Sequence, residues 1–94
     1  MRFFPIGTIG MNRMTPDLTP LQIRSPADLG HQIRTARKAQ GLTQAQLAET
    51  AGVGTRFVSE LERGKETARL GLSLEIARLV GIDILARPRG AARP

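Results

Sequence analysis

Between Ser25 and Gly81 the apolar positions recur at spacings of three and four, and glycines punctuate them. Leu29, Ile33 and Ala36 follow one another at four and three, the repeat of a single helix face. Ser25 ahead of Pro26 and Asp28 supplies an N-cap, a preset φ for the first turn, and an acid near the positive end of the dipole. A first helix is predicted over about 26–40, with Gly41 as its stop. Thr43-Gln44-Ala45-Gln46 has the form of a capping box, Thr with Gln three residues on, and opens a second helix carrying Leu47, Ala48 and Ala51 up to Gly52. A third is predicted from Thr55 to Arg63, with Val58 and Leu61 inward and Gly64 as its end. A fourth, capped by Thr67, is expected over roughly 68–80. There Leu70, Leu74 and Ala77 form one stripe, and Leu72, Ile76 and Leu79 widen it.

After Gly81 the period changes. Ile82, Ile84 and Ala86 alternate with Asp83, Leu85 and Arg87, as in a half-buried strand. A single strand leaves its backbone groups unpaired, and four helices offer no sheet edge. The expected partner is therefore the same segment of a second copy, an isologous, antiparallel homodimer contact through Ile82, Ile84, Leu85 and Ala86. Leu21-Gln22-Ile23 is a weaker candidate for a strand added to that sheet. The chain thus divides into a flexible arm over residues 1–24, a helical domain over 25–81, and a dimerisation strand with a basic tail over 82–94.

The arm holds Pro5, Pro16 and Pro20, half of the chain's prolines, which argues against a long helix. Met11 and Met14 are alternative starts, which would make part of the arm a translation-start artefact. Pro5, Gly7 and Gly10 interrupt its apolar stretch and no cleavage pattern follows, so it is not read as a secretory signal.

At 94 residues the chain has room for one small domain and its tails. Fourteen Lys and Arg against eight Asp and Glu give a net charge of +6 and a pI of about 11.5, pointing to a polyanionic partner such as nucleic acid or a membrane surface. Arm and tail each carry three Arg and one Asp, against eight basic and six acidic residues between them. Those ends are either phosphate-seeking arms or solvated tails. The absence of Cys excludes a disulfide framework and a thiolate metal site, and a single His cannot make a zinc site without several carboxylates. With no Trp or Tyr the core must be aliphatic, and stacking of bases on aromatic side chains is not expected. No apolar run approaches the roughly 18 residues of a spanning helix, so a soluble, cytoplasmic, nucleoid-associated protein is expected, without membrane partners.

Two short helices joined through a glycine turn inside a basic four-helix domain suggest a helix-turn-helix, whose second helix enters the major groove. Within Gln44 to Arg63, Ala48 is small where the helices cross, Gly52 stands where the turn needs a positive φ, and Val58 and Leu61 face the core. The run GLTQAQLAETAGVGTRFVSELERGK, residues 41–65, resembles the Cro/repressor, XRE-type helix-turn-helix family. Its LTQ-x-x-LA, the Gly-Val before the third helix and V-S-x-L-E-R-G stand at that family's spacing. The flanking SPADLGHQIRTARKAQG and KETARLGLSLEIARLVGIDILARPR resemble the HipB branch, DNA-binding antitoxins paired with a HipA-like kinase toxin. The resemblance spans about residues 22–90 and implies an all-α, lambda-repressor-like four-helix fold with a short C-terminal β-strand paired across a dimer.

It also implies roles. Gln44 would hold a phosphate at the start of the second helix, and Thr55, Arg56 and Glu60 would face base edges. Arg56 can bond a guanine bidentately, and Glu60 can accept from a cytosine amino group or merely repel phosphates. Phe57 departs from the small polar residue common at its position; it either meets a thymine methyl or folds back over the domain. Ser59 is either a DNA contact or a helical serine without consequence, while Arg63 and Lys65 would reach the DNA backbone. Arg37 would pair with Glu62 and lock the third helix to the first.

The implied function is a sequence-specific repressor of double-stranded operator DNA, the antitoxin of a HipBA-type system that autoregulates its operon and neutralises a kinase toxin. The alternatives are a free-standing XRE-type regulator and a protein-interaction module that does not bind DNA. An enzyme is not expected, because His31 sits as an exposed helical residue and no phosphate loop or catalytic cluster is present. No cofactor is implied.

Overall fold

The computed structural model describes residues 21–90, which form four helices: α1 Pro26–Ala39, α2 Gln44–Ala51, α3 Thr55–Glu62 and α4 Leu70–Leu79. The expected arm lies outside the described residues up to residue 20, as do the last four residues of the tail.

Local chemistry sets most helix ends. The Ser25 hydroxyl accepts from the Asp28 N–H at 3.1 Å, and the Asp28 carboxylate accepts from the Arg24 N–H at 2.8 Å. At α2 the capping box is complete: Thr43 Oγ1 accepts from the Gln46 N–H, and Gln46 Oε1 accepts from the Thr43 N–H. Gly52 ends α2 at φ 75°, a left-handed conformation that a side chain would resist.

The fourth helix starts later than its sequence predicts. Arg69, not Thr67, stands at its N-cap, and no side chain caps it. Its inner face agrees in part: Ile76 and Ala77 are buried as predicted, together with Ser73 and Val80, whereas Leu70 is 69% exposed and Leu74 also lies outside. α4 carries apolar residues on several sides, so its periodicity leaves the inner side open, and contact with α2 accompanies burial of the side that holds Ile76 and Ala77. Ser73 is tolerated inside because its hydroxyl donates to the Arg69 carbonyl at 2.7 Å.

The core is aliphatic, formed by Ile33, Leu47, Ala48, Val58, Leu61, Ile76, Ala77 and Val80, with Leu29, Ala36 and Phe57 packed at its edge. Burying such side chains contributes about 1.5–3 kcal/mol each for the larger ones. α3 packs against both α1 and α2. Its approach to α1 is close enough that a Cβ on Gly30 would lie 2.3 Å from the Leu61 carbonyl oxygen. Gln40 Nε2 donates to the Val80 carbonyl at 2.7 Å and ties the end of α1 to the end of α4.

Residues 82–88 have no regular structure, and no strand occurs among the described residues. Ile82 packs against the core. Ile84, Leu85 and Ala86 are exposed, Leu85 by 82%. A strand requires a neighbouring edge, which this four-helix chain does not itself supply. Leu21-Gln22-Ile23 likewise forms no strand, and Leu21 and Ile23 are exposed.

Candidate nucleic-acid interface

An eight-residue helix makes barely two turns, so α3 depends on its neighbours for stability and direction. Val58 and Leu61 bury one side against the core. The rear is held by Arg37 of α1, whose Nε donates to Glu62 Oε2 at 2.7 Å and whose Nη2 donates to Glu62 Oε1 at 3.0 Å. Arg37 Nη1 donates to the Leu42 carbonyl at 2.7 Å, so the same guanidinium also holds the chain leading into α2. Both side chains are buried. The Glu62 hydrogen bond holds the Arg37 guanidinium above its ordinary pKa, against the opposing effect of burial. Burial pushes the Glu62 carboxyl up, but hydrogen bonds from Arg37 and Gln44 with the Arg37 charge outweigh it and leave the group below its ordinary value.

Gln44, at the start of α2, reaches the same ion pair. Its Nε2 donates to Glu62 Oε1 at 3.0 Å, so the side chain braces the ion pair from α2. The cap at Thr43 takes up the N–H groups of Gln46 and Leu47, which leaves those of Gln44 and Ala45 ahead of them at the helix N-terminus.

The opposite side of α3 is polar. Thr55, Arg56, Ser59, Glu60 and Arg63 follow at one-face spacing, and Lys65 comes next in the turn. Thr55, Arg56, Arg63 and Lys65 are exposed, while Ser59 and Glu60 are half-buried. Arg63 Nη1 donates to Ser59 Oγ at 2.5 Å, which occupies the serine within the helix surface. Glu60 lies between two cations, accepting from Arg56 Nε at 3.1 Å and from Lys65 Nζ at 3.0 Å. Those hydrogen bonds, the Lys65 one first, hold its carboxyl below its ordinary value. Phe57 is half-buried, packed on the core, and lines an open groove with Gly52, Val53, Gly54, Arg69 and Leu72. The structure thus places Arg56, Glu60 and Lys65 in one cluster, Arg37, Gln44 and Glu62 in another, and Phe57 in neither.

Gly30 and Gln44 are the positions whose roles residue pattern alone does not reveal. A glycine inside a helix costs about 1 kcal/mol relative to Ala, and that cost is the signal that Gly30 has a packing reason. Nothing local marks Gln44 as a brace for Glu62.

Two helices meeting at a left-handed glycine turn, the second fixed from behind and polar in front, define a helix-turn-helix, the unit that lays a helix in the DNA major groove. The helix-turn-helix family model matches residues 33–86, more than half of the chain. The chain belongs to this family, as a DNA-binding transcriptional regulator of the XRE type. It is similar to the uncharacterised HTH-type transcriptional regulator y4mF of Sinorhizobium fredii, 49% identical over 67 residues that cover 69% of this chain and 88% of that relative. Its fold is similar to HipB in a complex with an O2 20-mer, with a TM-score of 0.68 at 22% identity, covering 76% of this chain and 99% of that one. It is also similar to a chain of a HipA–HipB–O2–O3 complex, with a TM-score of 0.67 at 22% identity, covering 73% and 97% respectively. Among the described residues no helix is long and apolar enough to cross a membrane.

Proposed function

We propose that the protein is an operator-specific repressor that binds double-stranded DNA as a homodimer, and that it is the antitoxin partner of a HipA-like kinase, neutralising it while repressing its own operon. The observation that carries the DNA reading is the outward face of α3, where Thr55 and Arg56 stand exposed over a helix held by the Arg37–Glu62 pair. Arg56 reads a guanine through O6 and N7, and Thr55 contacts the adjoining base edge. Arg63, Lys65 and the N–H groups at the start of α2 take phosphates and set the register of the domain on the duplex.

Dimerisation uses the exposed segment after Ile82. Pairing of residues 84–86 with the same segment of a second copy satisfies backbone groups that the monomer leaves to water, and covers Ile84 and Leu85. Two recognition helices related by that axis then read half-sites about 34–36 Å apart.

The toxin partnership is supported by the likeness of fold over almost the whole length of a chain from a HipA–HipB complex. A free-standing regulator is the second reading, favoured by the name of the rhizobial relative, which specifies transcriptional regulation alone. Co-purification of the full chain with the product of the adjacent gene, with and without operator DNA, separates the two. A ternary assembly with a kinase-like protein supports the antitoxin. DNA binding with no such partner leaves the free-standing repressor.

A further inference from the structure

Glu60 is the one acid on the reading face of α3, beside the phosphates that a recognition helix must approach. Each of its carboxylate oxygens already accepts from a cation: Oε2 from Arg56 Nε and Oε1 from Lys65 Nζ. Only 22% of its side chain is exposed, against 87% for Arg56, so the carboxylate sits at the base of the cluster and the guanidinium projects beyond it.

The choice of nitrogen matters. A guanidinium has five N–H donors in a planar fork, and Nε carries one of them. With Nε held by Glu60, the four N–H groups on Nη1 and Nη2 remain, and one from each supplies the pair of donors that an end-on bidentate contact with guanine O6 and N7 requires. An arginine free to sample its rotamers must be ordered on binding, whereas one held through Nε has its rotamers biased beforehand. The two cations also offset the carboxylate, so Glu60 brings no net negative charge to the DNA surface.

We infer that Glu60 is a positioning residue that clamps Arg56 through Nε and aims its free Nη edge at a guanine, rather than reading a base itself. This rests on the operator reading proposed above and assigns its specificity to a pair of residues. Lys65 completes the clamp by holding the other carboxylate oxygen, and keeps further N–H donors for a phosphate.

The test uses the full chain and a pool of randomised DNA duplexes. Sites are selected with the unaltered protein, and binding is then measured on duplexes carrying each base at every position. Arg56→Ala should lower the preference for guanine at one position per half-site by about 10-fold or more. Glu60→Ala should weaken preference at that same position and should have no added effect in the Arg56→Ala background. Glu60→Gln, which keeps an oxygen to accept from Nε, should restore part of the preference. Circular dichroism checks that each variant stays helical. Glu60→Ala acting at a different position, one occupied by cytosine, with effects that multiply those of Arg56→Ala, would show Glu60 to be a base reader and overturn the proposal. Unchanged preference in Glu60→Ala would overturn it equally. If the unaltered protein selects no sequence, the operator reading itself fails and the clamp falls with it, an outcome distinct from the other two.

Discussion

Arg37 and Glu62 lie 25 residues apart in the chain and meet in a buried, bidentate ion pair between α1 and α3, with Nε to Oε2 at 2.7 Å and Nη2 to Oε1 at 3.0 Å. Because Arg37 also holds the Leu42 carbonyl and Glu62 also accepts from Gln44, the pair joins the recognition helix to both helices behind it. Truncating one partner strands the other's charge in a buried site. Glu62→Ala is expected to cost about 3–5 kcal/mol in urea unfolding. A double-mutant cycle with Arg37→Ala should show strong coupling; independent, additive losses would argue against a joint role.

The same pair sets an acid limit. Glu62 has its folded pKa below its ordinary value, so its stabilisation is present above the ordinary carboxylate range, near pH 4, and is lost as pH falls through the folded pKa. The Arg37 value is raised and contributes no titration in this range. Unfolding free energy should therefore decline as pH falls from about 5 through the folded pKa of Glu62. Glu62→Gln should be less stable at neutral pH and show a shallower acid decline. An equally steep decline in that variant would assign the acid sensitivity to other carboxylates.

Gly30 faces backbone, which cannot swing aside as a side chain can. A Cβ there would sit 2.3 Å from the Leu61 oxygen and 2.7 Å from the Glu62 oxygen. Gly30→Ala should lose about 1–3 kcal/mol from overpacking, despite the gain in helix propensity, and should also weaken operator binding by displacing α3. A thermal melt at or above the unaltered midpoint would mean that α1 can shift without cost.

Arg56 and Arg63 share a helix face but should fail differently. Arg56→Ala is expected to cost about 1–3 kcal/mol on the preferred operator and relax preference at one position per half-site. Arg63→Ala should weaken every sequence alike and lower the salt slope by about one. Titrations of both variants against operator and scrambled duplexes, at several salt concentrations, check this.

Removing residues 83–94 spares Ile82, which packs on the core and whose N–H donates to the Ala77 carbonyl at 2.9 Å. The truncated chain should remain helical, sediment as a monomer and lose most operator affinity. An undiminished dimer would move the contact elsewhere, with exposed Leu70 and Leu74 of α4 the first surface to examine.

What could be read directly from residue order is what depends on neighbours within a few positions. Ser25, the Thr43–Gln46 box and Gly52 mark helix ends because capping and left-handed turns involve groups one to four residues apart, and the LTQ-to-ERG run placed α2 and α3 for the same reason. The pairing of Arg37 with Glu62 was legible only through the family resemblance, since a separation of 25 residues leaves no periodic trace. Three features belong to the tertiary structure alone. The contact of α4 with α2 put Ser73 inside beside the expected Ile76 and Ala77 and left Leu70 and Leu74 outside, because a helix apolar on several sides does not specify which one is buried. The crossing of α1 and α3 turned Gly30 from a propensity cost into a requirement, and their meeting with α2 brought the Gln44 amide against Glu62. Each depends on distances between elements remote in the chain, which packing sets and residue order does not record.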